Sequence, residues 1–135
     1  MARSGSIRRL AKGILIRLAV IAGLGLLIAA CDKNPEIIPQ GEYKSPDGHW
    51  TVKTEVARWS GPGNNDLAAV VLISQTGIDQ EPTRILSLDI QDTSQGDMTV
   101  LWRDNHHLEL LYRKDAKVTF QAIKFISVDI SATGI

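Results

Sequence analysis

Most of this sequence is built from short segments in which apolar and polar residues alternate, separated by groups of turn-forming residues. Successive side chains of a β-strand point to opposite faces, so a period of two predicts strands with one buried face. In residues 49–59, Trp50, Val52 and Val56 fall on one face and Lys53 on the other. This pattern restricts the chain to a β-rich fold.

Further strand segments follow at regular intervals. Residues 67–76 are long enough for a helix, but their run of β-branched residues favours a buried strand. Within residues 118–130 the apolar parity shifts near Ala122 and Ile123, which predicts a bulge or bend inside one long strand. The remaining segments are residues 84–91, 98–103 and 107–113, the last two joined by a tight hairpin at residues 104–106. Together these segments predict a mainly β fold, either a small antiparallel sandwich or a half-open barrel.

Charge divides the chain into two parts. Residues 1–30 carry five basic residues and no acid, whereas the remainder carries about ten basic and fifteen acidic residues. The basic head is followed by an apolar run of about 13 residues, 18–30, which ends in two alanines. A membrane-spanning helix needs roughly 20 apolar residues, whereas the apolar region of an export signal needs about 7–15. Residues 1–30 are therefore predicted to be a signal peptide.

The end of this run, Ile28-Ala29-Ala30-Cys31, resembles the lipobox of bacterial lipoproteins, although that family usually has leucine where Ile28 stands. The resemblance implies a diacylglycerol on the Cys31 thiol and cleavage between Ala30 and Cys31. It also implies acylation of the new amine, and two or three acyl chains anchor a protein stably where one does not. The alternative is an uncleaved short anchor helix with a chance cysteine.

The residues around the cysteine add to this interpretation. Cys31 is the only cysteine, so an exported domain has no second thiol for a disulfide. The lipoprotein resemblance implies that Asp32 is a sorting signal that favours the inner membrane over the outer. Residues 31–45 contain prolines, a glycine and mixed charge without periodicity, and are predicted to be the lipidated cysteine and a flexible linker. Residues 46–135 are then one small β-rich domain outside the cytoplasm, facing the periplasm or cell exterior.

Two motifs of this domain are the most distinctive. Residues 45–50 read Ser-Pro-Asp-Gly-His-Trp, a turn that begins a strand, and residues 102–108 read Trp-Arg-Asp-Asn-His-His-Leu. The pair resembles small bacterial lipoproteins with a single β domain, a resemblance that covers most of residues 45–112. TolB-like propellers repeat the same turn, but a propeller needs about four to eight blades, which this chain cannot supply.

No metal or cofactor site is predicted. His106 and His107 are neighbours on a strand and point to opposite faces, and His49 could join one of them only through the fold. The acidic residues of the 92–97 loop lack the spacing of a calcium loop. Residues 60–63 lack the lysine of a phosphate loop and are predicted to be a flexible hairpin loop.

The negative charge of the domain also predicts that nucleic acid is not a partner, since phosphate binding needs a basic patch. The local cluster of Arg113, Lys114 and Lys117 is interpreted as a solvated turn or as a contact with anionic headgroups.

Three functions stay open. The first is a lipid-anchored, non-enzymatic binding or assembly module whose partner is another envelope protein. Its predicted contact residues are Trp59, Asn64 and Asn65, and its contact surface is the 60–66 loop, the 92–97 loop or a sheet edge. The second is an envelope hydrolase that uses a histidine and a carboxylate brought together only by the fold. The third is a carrier of a small apolar ligand lined by Trp50 and Trp102, which could equally fill the core.

Overall fold

The computed structural model describes residues 34–61 and 63–135. The predicted signal peptide, Cys31 and Asp32 lie outside these residues. The strands are β1 (Glu36–Lys44), β2 (Trp50–Gly61), β3 (Asn64–Gln75), β4 (Thr83–Ile90), β5 (Thr99–Asp104), β6 (His107–Tyr112), β7 (Lys117–Gln121), β8 (Lys124–Phe125) and β9 (Val128–Gly134). A single 3-10 turn, Thr93–Gly96, lies between β4 and β5.

The strands form two sheets. Sheet A has the order β1-β2-β3-β4-β7, and sheet B has the order β5-β6-β9-β8. Neither sheet closes into a barrel, so the prediction of a small β sandwich is confirmed. Every pairing in the described residues is antiparallel except that of β6 with β9, which is parallel and runs from His107↔Asp129 to Tyr112↔Gly134. The sequence had not predicted a parallel pair.

The core lies between the two sheets and follows the predicted alternation. Trp50, Val52 and Val56 of β2 are buried, and Lys53 between them is exposed. Sheet B contributes Leu108 and Leu110, which are also buried. Each buried aliphatic side chain of this kind contributes about 1.5–3 kcal/mol to folding, so the alternation is the main source of stability.

The predicted flexible linker is wrong over residues 36–44, because these residues form β1 and pair with β2 from Glu36↔Arg58 to Lys44↔Thr51. A proline and a glycine had argued against a strand here. β1 is an edge strand, and edge strands tolerate proline because one side of the strand has no partner strand to accept an N–H. The register also shifts at a bulge between Pro39 and Gly41. The chain between Cys31 and the first strand is therefore only four residues long.

The single long strand predicted over residues 118–130 is also wrong. β7 ends at Gln121 in sheet A, and the chain then crosses to β8 and turns back into β9 of sheet B. The amide of Ala122 donates to Ile85 of sheet A, and Ile130 of sheet B donates to Ile123. The shift in apolar parity therefore marks the point at which the chain leaves sheet A and enters sheet B. The two sheets face each other across the core, so the positions that point into the core change when the chain crosses from one sheet to the other.

The 92–97 loop, interpreted from sequence as an ordinary connection and contact surface, is packed against the core. Asp92 caps the 3-10 turn by accepting hydrogen bonds from the amides of Ser94 and Gln95. Gln95 and Gly96 are buried. A side chain at Gly96 would approach Val56 Cγ2 to 2.6 Å. Gly96 is therefore packed closely against β2, whereas Asp92, Thr93, Ser94 and Asp97 of the same loop are exposed.

Candidate functional site

The predicted contact residues lie on the long β2–β3 hairpin. The contact loop expected at residues 60–66 is shorter than predicted, because Ser60 pairs with Asn65 and Gly61 pairs with Asn64. Trp59 is half-buried and lies opposite Asp66, while Asn65 is exposed. We call this part of the domain the hairpin end. It comprises the tip of the β2–β3 hairpin, the start of β1 and the 3-10 turn.

The two distinctive sequence motifs meet at the opposite end. The amide of Asp47, in the turn that begins β2, donates a 3.0 Å hydrogen bond to Asn105 Oδ1 in the β5–β6 turn. We call this the two-turn end. Ser45, which is buried, holds the first turn together: its hydroxyl donates to Asp47 Oδ1 at 2.6 Å and accepts from the Trp50 amide at 3.0 Å. The motifs therefore connect sheet A to sheet B.

This turn also changes the pKa of the Asp47 carboxyl. Hydrogen bonds from the Ser45 hydroxyl and the His49 amide lower the pKa of the Asp47 carboxyl below its usual range. The ionised form is the one that accepts both bonds, so the turn is completed by a charged aspartate.

The three histidines do not form one site. His49 contacts Trp50 edge to face at 4.8 Å, and its Nε2 lies 3.1 Å from Gln75 Nε2. His106 is exposed in the β5–β6 turn, where its amide donates to Asp104 Oδ1 at 2.7 Å. Across residues 34–61 and 63–135, no group of three or more histidine, cysteine, aspartate or glutamate side chains could hold a metal ion.

His107 lies between two carboxylates on the outer face of sheet B. Its Nδ1 is 2.7 Å from Asp104 Oδ2, and its Nε2 is 3.6 Å from Asp129 Oδ2. Lys124 Nζ approaches the other oxygen of Asp129 at 3.5 Å. The parallel pairing of β6 with β9 places Asp129 beside His107, a contact for which the local sequence gives no signal.

The surroundings of this charged cluster are open. His107 and Asp129 line a shallow depression of about 350 Å³ together with Arg103, Glu109 and Ser131. Arg103 Nε donates to Glu109 Oε2 at 2.6 Å, so these two neutralise one another. The pKa of the Asp104 carboxyl is lowered, mainly by the His106 amide and then by His107. More than half of the His107 side chain is exposed, so solvent screens all of these charges.

Both ring nitrogens of His107 face carboxylates, and this limits its chemistry. A general base needs one nitrogen within hydrogen-bond reach of the proton that it removes. Here the nitrogen opposite Asp104 faces Asp129, not a hydroxyl group. The arrangement suits a surface ion-pair network or a polar contact with a partner.

An exposed apolar segment lies at the two-turn end, next to this cluster. Ile123 and Ile126 flank β8 and are 76% and 69% exposed. Ile126 also has a φ of 52°, which β-branched residues rarely adopt. Sequence reasoning missed this segment because it assigned residues 118–130 to one continuous strand.

Comparison of the chain with protein-family models, curated proteins and solved structures finds no match. The described residues include no helix that is both long and apolar enough to cross a membrane.

Proposed function

We propose that the chain is a bacterial lipoprotein, anchored through Cys31, whose β sandwich is a non-enzymatic binding module for another protein of the cell envelope. The lipobox-like sequence 28–31 supports the anchor, and Asp32 favours retention in the inner membrane. Acyl chains on the cysteine confine the domain to the membrane surface.

One observation carries the binding role: Ile126 holds an exposed apolar side chain on a strained backbone. A left-handed conformation costs roughly 1–2 kcal/mol for an ordinary residue, and glycine or asparagine would avoid this cost. Strained residues of this kind cluster at functional sites. With Ile123, Ile126 offers an apolar contact edged by the charges of Lys124 and Asp129, the composition of a protein interface with a polar rim.

The anchor is tested by metabolic labelling with palmitate. We expect label in the wild-type protein and none in Cys31→Ser, which should also keep its signal peptide and its larger mass. An unlabelled wild-type protein, or a Cys31→Ser protein that sediments with membranes at the mature mass, would contradict the lipoprotein assignment.

The binding role is tested by photocrosslinking in intact cells. A benzoylphenylalanine at position 126 should form a discrete adduct with one envelope protein, whereas the same group at Lys53, exposed on sheet A, should not. The identified partner should then bind the purified wild-type domain at least tenfold more tightly than an Ile126→Asp variant. Equal adducts from both positions would argue against a specific contact.

A hydrolase acting on envelope material is the second candidate, because His107, which pairs with the Asp104 carboxylate, lines the same depression as Ser131. This role predicts that His107→Asn and Ser131→Ala each abolish any measured hydrolysis while the fold is retained. Unchanged hydrolysis in both variants would exclude this site as its source.

A carrier role has less support. Trp50 is buried and Trp102 packs against the same core. The cavity that Trp50 lines measures about 30 Å³, which is room for one water molecule.

A further inference from the structure

We propose that the hairpin end of the domain lies against the bilayer, with Trp59 and Ile37 in contact with the lipid–water interface. This inference rests on the proposed lipid anchor at Cys31. It assigns Trp59 to the membrane, and leaves the two-turn end as the surface that faces a protein partner.

Chain length gives the first argument. Cys31 and Glu36, the first residue of β1, are five residues apart, so their Cα atoms are separated by at most about 18 Å. β2 has 12 residues and is therefore about 36 Å long. Five residues can span no more than about half the length of β2, so the end at which β1 begins stays close to the anchored cysteine.

Strand register identifies what lies at that end. Glu36 pairs with Arg58, so β1 begins beside the tip of the β2–β3 hairpin. The 12 paired positions of β2 and β3 make this hairpin one regular ribbon that ends at Gly61↔Asn64. Acyl chains on Cys31 would thus enter the membrane next to the hairpin tip, while the Asp47–Asn105 contact lies at the far end of the strands.

The outer face of sheet A supplies side chains suited to an interface at this end. Ile37 pairs with Ala57, and Trp59 follows Ala57 by two positions on the same face. Diagonal neighbours of this kind lie about 7–8 Å apart, so Ile37 and Trp59 form one apolar corner. Ile37 is 45% exposed and Trp59 is half-buried. Tryptophan is enriched at membrane interfaces because its ring is apolar and its N–H polar.

The charges at the hairpin end do not account for membrane contact by themselves. Arg113 is held by Asp115 through two hydrogen bonds, at 3.1 and 2.9 Å, and Arg58 pairs with Glu36 at 3.5 Å. Within the described residues, carboxylates at this end outnumber cations: Glu36, Asp66, Asp89, Asp92, Asp97 and Asp115 against Arg58, Arg113, Lys114 and Lys117. The contact is therefore apolar and interfacial, and does not depend on anionic lipid.

The test uses the full-length lipidated protein in phosphatidylcholine vesicles. Because the Cys31 thiol is acylated, a cysteine introduced at Asn65 or at His106 is the only free thiol and accepts an environment-sensitive fluorophore. Asn65 is exposed at the hairpin tip, and His106 is exposed at the two-turn end as its matched control. Quenching by lipid-attached nitroxide should be at least threefold stronger at position 65. Equal quenching, or stronger quenching at position 106, would overturn the orientation.

Flotation with the vesicles separates failure of the anchor from failure of the orientation, since an unlipidated protein does not float at all. A double variant, Ile37→Ser with Trp59→Ser, should still float but lose at least half of the quenching at position 65. Unchanged quenching in this variant would overturn the role of the apolar corner. Quenching should also differ less than twofold when phosphatidylglycerol is added, and dependence on this anionic lipid would contradict an apolar contact.

Discussion

Single residues decide how the turns of this sandwich are closed. Ser45 is 4% exposed and satisfies the Trp50 amide with its hydroxyl oxygen. Ile126 does the reverse, because it exposes its side chain and holds a backbone angle that favours glycine. Ser45 thus stabilises its turn, whereas Ile126 keeps an apolar side chain at the surface at a cost in stability.

Replacing Ser45 should therefore be costly for so small a change. In Ser45→Ala the buried Trp50 amide loses its acceptor, and an unsatisfied buried donor costs about 1–3 kcal/mol. Chemical denaturation should show this loss. Ser60→Ala, at an exposed position of β2, should change the free energy of unfolding by less than about 0.5 kcal/mol. Equal effects of the two substitutions would show that the Ser45 bond is unimportant.

Ile126→Asn should stabilise the isolated domain. Asparagine adopts the left-handed region more readily, so the free energy of unfolding should rise by about 1 kcal/mol. Ile123→Asn is the control: it is at least as exposed but has no positive φ, and we expect a change within about 0.5 kcal/mol. A destabilised Ile126→Asn variant would mean that the isoleucine side chain contributes to folding.

At the scale of elements, the alternation predicted strands well wherever one face is buried. β2, β3 and β4 begin and end within three residues of their predicted bounds. β1 was missed because Pro39 and Gly41 interrupt its pattern, and an edge strand with a bulge tolerates both. The position of Asp129 beside His107 could not be predicted from the sequence, because it depends on strand pairing between segments about 20 residues apart.

The 3-10 turn between β4 and β5 is an element whose packing can be tested directly. Gly96→Ala places a methyl group against Val56, which is fully buried and β-branched and so has little freedom to rotate away. Overpacking of this kind typically costs 1–3 kcal/mol, and the thermal midpoint should fall. Gly61→Ala has nothing within 4 Å and should leave the midpoint nearly unchanged. Similar midpoints in both variants would contradict the contact.

On the scale of the whole molecule, turns in several parts of the sandwich contain a carboxyl group whose pKa is lowered in the folded state. Asp47 and Asp92 each have a lowered pKa because hydroxyl and amide groups of their own turns donate to them. Asp104 has a lowered pKa through the His106 amide, and Asp115 through Arg113. All four carboxylates therefore favour the folded state when they are ionised.

Stability should consequently fall in acid. A carboxyl whose pKa is lower in the folded state contributes stability above its ordinary value of about 4, and this contribution is lost as the pH falls through the folded value. Urea midpoints should be level between pH 7 and 5 and should drop by pH 3. Asp47→Asn should be less stable at pH 7 and should show a shallower drop, whereas Asp79→Asn, on an exposed loop, should behave as wild type. A wild-type midpoint that is unchanged at pH 3 would contradict this linkage.

The inner place of β9 in sheet B affects how the protein is made. β9 is the last strand along the described chain, yet it lies between β6 and β8. Its parallel partner β6 ends 16 positions earlier, and the connection passes through the other sheet. Sheet B therefore cannot assemble until β9 is available to pair with both neighbours, so intermediates that lack it would expose the apolar face of sheet A to proteases and chaperones. A stop codon after residue 127 would remove the middle of a layer, and such a product should be degraded, not merely shortened.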